Sequence, residues 1–440
     1  MVNSARCSIR QPDHLRQGEP EPSGRQTSQI EHRGNFPPFG MSRSLGSLPP
    51  EPAAETVASR LRAVAQFLRR ALPLCQAHTV EFYTRGLWEQ LVALSPETVL
   101  EVLSGAGLLR QQQRPLEEAA GSGRAELWDN CKFSNVFCEN SQKLVNVQFF
   151  ALAAKYHSLP SLEVCTPLEQ MLGALSGKQH KRCEIKTDEF MNNKKSHEVQ
   201  KMSELIDSIA NFCGIKQDCI MVGLHTCGDL APNTLRIFTA KPEIKAVCSV
   251  GCCYHLLTEE FENQKDCSPG LWGFPMCRYL KEEGWCCGRN ARMSACLALE
   301  RVAVSQVLPT ESLFYRAVLQ VIIEECYGVI KSDRHVGKIF SKSSSFVDYV
   351  RKSLKKLELD ESKLPDSCIM DYYEKYKHRM NELEAFNMLK VVLAPCIELL
   401  LLLDRLCYLK EKDNITWSGL VKLFDPVKSP RCYAVVALKK

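Results

Sequence analysis

No stretch of this sequence stays apolar for the roughly 20 residues that a bilayer-spanning helix needs. The most apolar run, 391–403, is interrupted by Pro395 and Glu398 and bounded by Lys390 and Asp404. We therefore expect a buried amphipathic helix there and no membrane partner. Residues 1–40 also lack the apolar core of a secretory signal, since Arg6, Arg10, Arg16 and Arg25 are scattered among Gln, Ser and Pro. An excess of one charge is missing too: 56 basic against 51 acidic residues leave a net charge of +5, too little by itself to argue for nucleic acid. Finally, no glycine cluster follows a strand-like run. Gly105-Ala106-Gly107 follows a helical pattern, and Gly121-Ser122-Gly123 sits in a polar link. Both are read as a helix end or connector rather than as a loop that cradles a ligand.

What the chain does have is cysteine, 22 residues among 440. Disulfide frameworks belong to short secreted chains, so we expect reduced thiols and a cytoplasmic and/or nuclear protein.

The chain divides by pattern. Residues 1–56 form a Pro-, Ser- and Gln-rich extension holding eight of the 22 prolines within its first 52 positions. Such a stretch cannot bury enough apolar surface to offset its ordering entropy, so disorder is expected, with translation starting at Met1 or Met41. Residues 57–175 are read as a helical N-terminal region: Leu61, Val64, Phe67, Leu68, Ala71 and Leu72 recur at helical spacing, Ser95-Pro96-Glu97 opens a second helix, and 144–156 form a third. A charged connector spans 176–198. Beyond it, 199–212 read as a helix ended by Gly214. The apolar runs 219–224 and 246–250 read as buried strands with a helix over 231–238 between them, the signature of a parallel β-α-β unit. Further helices are expected over 293–304, 312–326, 346–357, 370–376 and 382–409, and a final strand over 431–438. No internal repeat is present.

Five blocks are distinctive. They are Met191-Asn192-Asn193-Lys194-Lys195-Ser196-His197-Glu198-Val199; Val222-Gly223-Leu224-His225-Thr226-Cys227-Gly228-Asp229-Leu230; Cys248-Ser249-Val250-Gly251-Cys252-Cys253-Tyr254-His255-Leu256; Trp285-Cys286-Cys287-Gly288-Arg289-Asn290-Ala291-Arg292; and Asp425-Pro426-Val427-Lys428-Ser429-Pro430-Arg431-Cys432-Tyr433. With these blocks the chain, from about residue 57 to its end, resembles the methyltransferase-like protein 25 family and its methyltransferase-domain relatives.

That resemblance implies an α/β fold, the Rossmann-like sheet of class I methyltransferases, carrying helical additions at both ends. It implies transfer of a methyl group from S-adenosylmethionine to an acceptor that is a protein, an RNA or a small molecule. In such a sheet the ligand lies outside the carboxyl ends of the strands. Lys194, Lys195, His197 and Glu198 are then the cofactor-binding candidates. His225, Cys227, Gly228, Asp229, Cys252, Cys253, Tyr254, Arg289 and Asn290 are candidates for the crevice, and no catalytic role is assigned among them. The sequence departs from the family in one respect. A first strand, a Gly-x-Gly-x-Gly turn and an acidic residue should follow the 199–212 helix, yet Gly214-Ile215-Lys216-Gln217 runs directly into Asp218-Cys219-Ile220. Strands one to three are expected to be missing between Gln217 and Asp218. The expectation is a shortened, splice-type variant with impaired catalysis, or a non-catalytic interaction protein with a protein partner.

Other readings compete for the same residues. Cys248, Cys252, Cys253, Cys286 and Cys287 suggest a zinc site, but adjacent cysteines on a strand face opposite ways, so buried thiols are favoured and no metal ligand set is assigned. Cys227 or Cys253 with His225 or His255 would be a nucleophile pair, which methyl transfer does not require. Residues 331–380 hold 12 Lys or Arg against eight Asp or Glu. At helical spacing these form a solvated face, with RNA contact as the sharper alternative.

Overall fold

A computed structural model describes residues 48–103, 135–158, 164–176, 191–215, 219–262, 272–297, 310–328, 336 and 339–439. The polar link near 110–124, residues 177–190 of the connector and the first 47 residues of the extension lie outside the described residues. So does most of the helix expected over 293–304.

Five strands form one mixed sheet in the order β1-β4-β5-β3-β2, where β1 is Cys165–Pro167, β2 Cys219–Thr226, β3 Ile244–Gly251, β4 Ile415–Lys422 and β5 Tyr433–Lys439. The expected β-α-β unit is present: β2 and β3 pair in parallel, Val222 opposite Cys248, and the helix Leu230–Ala240 joins them. β5 runs antiparallel to both β3 and β4, with Val247 opposite Ala437 and Gly419 opposite Val436. Two strands are additional to the sequence reading. β1 lies within the region read as helical and pairs in parallel with β4, Cys165 opposite Leu420. β4 carries Ser418 and Gly419, which break its apolar run. β3 and β5 are buried almost throughout, whereas β2 has one partner and leaves Val222 44% exposed.

The helix Ala54–Gln76 buries the face expected from its periodicity, Val57, Leu61, Val64, Leu68, Ala71 and Leu72. It leans on the central helix Met380–Lys410. That helix has 31 residues, so it is long and apolar enough to cross a bilayer, contrary to the expectation from the short run at 391–403; 94% of its most apolar window is buried within the fold. A helix apolar all round belongs in a core.

Three boundaries differ from the sequence reading. The helix before β2 begins at Asn193, not 199, and is capped by Asn192, whose side chain accepts from the Lys195 amide at 2.9 Å. Gly214 closes it in the left-handed conformation, φ 59°. Arg289 and Asn290 open a short helix, Arg289–Ser294, which the sequence reading did not include. The end of the N-terminal extension is held in place: Trp417 Nε1 donates to the Pro49 carbonyl at 3.0 Å, and Glu51 pairs with Lys410 at 2.7 Å.

Candidate functional site

The site is built where β2 ends. The pairing of β2 with β3 slips between Gly223 and Thr226, and within that irregularity His225 has φ 62°. A left-handed conformation costs a non-glycine residue about 1–2 kcal/mol. The bulge aims the imidazole at the preceding helix, where His225 Nε2 lies 3.1 Å from Glu198 Oε2. Glu198 is in the second turn of the helix Asn193–Cys213 and is only 2% exposed.

A buried carboxylate needs partners, and Glu198 has three. His225 is one, Ser429 Oγ donates to Glu198 Oε1 at 2.6 Å, and Lys194 Nζ stands 3.4 Å away, one helical turn earlier. Burial pushes the Glu198 carboxyl up. Hydrogen bonds from His225 and Ser429, with the charges of His225 and Lys194, outweigh it and hold the group down at about 2. Beside it, His197 Nε2 accepts from the Asp425 amide at 3.2 Å, and its ring meets Phe424 edge-on. Burial, then the Lys428 charge, lowers the His197 pKa. Three of the five sequence blocks thus meet around one carboxylate. Of the first block's candidates, Lys195 contributes its backbone amide to the helix cap.

The remaining crevice candidates separate into two sets. Cys227, Cys252 and Cys253 gather at the ends of β2 and β3, with Cys227 Sγ 3.0 Å from Cys252 Sγ. Tyr254, by contrast, is buried, and its hydroxyl donates to Glu398 of the central helix at 2.9 Å. Arg431 completes that contact, 3.1 Å from the same Glu398 oxygen, and Arg405 and Arg431 both lie over the Tyr254 ring. Asp229 turns away from the strand ends to accept from Thr258 N at 2.8 Å and Thr258 Oγ1 at 2.9 Å. Arg289 donates its amide to Glu262, and the Asn290 side chain donates to the Gln76 carbonyl at 2.9 Å. The Asn290 contact fastens the short helix to the end of Ala54–Gln76.

Sequence reasoning passed over Ser429, although it lies in a quoted block, and over Glu398 and Arg405. A carboxylate inside an apolar helical run was the available signal for Glu398.

The glycines of the second block bear on whether the implied cofactor fits. A side chain on Gly223 would stand 2.4 Å from Thr226 Cγ2, and one on Gly228, which has φ 51°, would stand 2.6 Å from the Leu256 carbonyl oxygen. At both positions the protein's own neighbouring atoms leave no room for a side chain. Between Gly214 and Cys219 only four residues remain, too few for a strand and a glycine-lined turn. The described residues therefore do not form the loop with which class I methyltransferases hold S-adenosylmethionine.

Residues 176–260 match a family model described as a methyltransferase domain. The chain is 46% identical over 600 aligned positions to "Probable methyltransferase-like protein 25" of Homo sapiens, covering 89% of this chain and 99% of that protein. It is 43% identical over 595 positions to the protein of the same name from Mus musculus, covering 89% and 98%. An alignment of 600 positions exceeds the 440 residues of this chain by 160, so at least that many positions face gaps in it. No solved structure matches.

Proposed function

This chain belongs to the methyltransferase-like protein 25 family, and from that premise we propose that it is a shortened form of an S-adenosylmethionine-dependent methyltransferase, without methyl transfer of its own. In this reading β2 and β3 are strands four and five of a class I sheet, and strands one to three with their glycine turn are missing between Gln217 and Asp218.

The observation that carries the reading is the position of β2. It stands at the edge of the sheet, with four residues between it and the Gly214 cap, where a complete sheet would have inner strands beside it. The excess of aligned positions over chain length supports an internal loss rather than a short terminus. Methyl transfer asks the protein to hold the sulfonium and the acceptor in line at roughly 3 Å. Without the loop there is nothing to fix the donor. What remains is a crevice organised around Glu198, His225 and Ser429, so the role of this form is that of a non-catalytic interaction protein.

The test is ultraviolet cross-linking of the folded chain with S-adenosylmethionine labelled on its methyl group. No specific label is expected. Label that disappears with excess S-adenosylhomocysteine would overturn the reading.

A further inference from the structure

The thiols at the ends of β2 and β3 stand independently of that reading. Cys227 and Cys252 follow directly on Thr226 and Gly251, which are paired across the parallel register. The register sets the two side chains next to one another, with sulfurs 3.0 Å apart. Cys253 Sγ is 3.7 Å from Cys252 Sγ, and all three sulfurs lie within 4.8 Å of one another. Thiolates around a tetrahedral zinc ion, with bonds of about 2.3 Å, stand roughly 3.8 Å apart. The Cys252–Cys253 separation matches that spacing, and Cys227 and Cys252 stand somewhat closer.

Cys296, one residue beyond the C-cap of the helix Arg289–Ser294, lies close by, its sulfur 3.7 Å from the Cys252 carbonyl oxygen and 3.8 Å from His255 Nδ1. This set differs from the one the sequence suggested. Cys248 points into the core against Met202, and the Cys286 thiol and Cys287 amide are engaged by Glu259.

We propose that Cys227, Cys252 and Cys253 bind one soft divalent cation of the zinc class, which clasps the edge strand β2 to β3. As each metal–sulfur bond forms, one S–H proton leaves to solvent, and nothing is oxidised or reduced.

The experiment titrates the reduced, full-length protein with Co2+ alone, following thiolate-to-cobalt charge-transfer absorption and counting bound metal by equilibrium dialysis. One ion per chain is expected, with a higher melting temperature than after chelation. The Cys227→Ser/Cys252→Ser double variant should lose at least ten-fold in affinity, and Cys286→Ser should bind as the parent does. Should the double variant fail to fold, Cys227→Ser alone, at an exposed position, carries the same expectation. Absence of uptake by a folded, reduced sample would overturn the proposal. So would uptake that Cys227→Ser leaves unchanged in intensity and affinity.

Discussion

Glu198 and Ser429 are 231 positions apart in the chain and 2.6 Å apart in the fold. That contact ties the helix before the sheet to the loop that leads into its last antiparallel strand. With His225 at the end of β2, it makes Glu198 the point where the parallel and antiparallel parts of the sheet are joined.

Removing the hydroxyl leaves a buried carboxylate one donor short. Ser429→Ala should destabilise the protein by about 1.5–3 kcal/mol, the range for a hydrogen bond to a charged group. Glu198 is held down, so its contribution is present above pH 4.5 and is lost as pH falls from there through about 2. Chemical denaturation of parent and variant at pH 7 and pH 3 should show the difference between them shrink in acid. An unchanged difference would show that the carboxylate is not the partner that matters.

The buried Arg431–Glu398 pair invites a double-mutant cycle. Arg431→Met takes one ion-pair partner from the buried Glu398 carboxylate, which keeps Tyr254 and Arg405 beside it, and should cost up to about 3–5 kcal/mol. Adding Glu398→Leu removes the carboxylate itself and should restore part of that loss. If the two losses simply add, the pair is not coupled.

His157 is 6% exposed and stacks on Phe67 with ring centroids 5.1 Å apart. Burial, then the Arg60 charge, lowers its pKa from 6.5 to about 4. The fold therefore prefers the neutral ring, and the unfolded chain binds the extra proton. Stability should fall as pH drops from 6.5 to 4, by at most about 1.4 kcal/mol per pH unit from this one group. His157→Phe should flatten the dependence of melting temperature on pH across that window. A dependence identical to the parent's would assign the effect to other groups.

The open edge of β2 should have a cost in solution. An edge strand with exposed apolar side chains is a template for pairing with another chain. Concentration-dependent self-association is expected in analytical ultracentrifugation. Val222→Lys, at a 44% exposed position, should suppress it while moving the melting temperature little. Self-association untouched by that change would place the contact elsewhere.

The β2–helix–β3 unit was legible because two short, apolar, β-branched runs are separated by one helical turn pattern. β4 was not, and the reason is local. Its apolar alternation is broken at Ser418 and Gly419, and tertiary contacts repair the break. A side chain on Gly419 would stand 2.8 Å from Trp417 Cη2, so the indole covers the glycine, while Ser418 bonds to Glu51 from far upstream. The site was legible as blocks but not as partnerships. The family resemblance placed Tyr254 at the crevice, yet only the central helix, with Glu398, explains why the ring turns inward. Within the basic 331–380 region, Arg351 pairs with Asp366 at 2.5 Å and Lys352 with Asp348 at 2.7 Å.

Calorimetric titration of the purified chain with S-adenosylhomocysteine, after a cooperative melt has been recorded, tests the central claim most directly. The account expects no saturable heat from the folded protein, because no glycine-lined loop stands between Gly214 and β2. Saturable binding at micromolar affinity or tighter would contradict it and would make the bulged turn from Gly223 to Gly228 the cofactor loop.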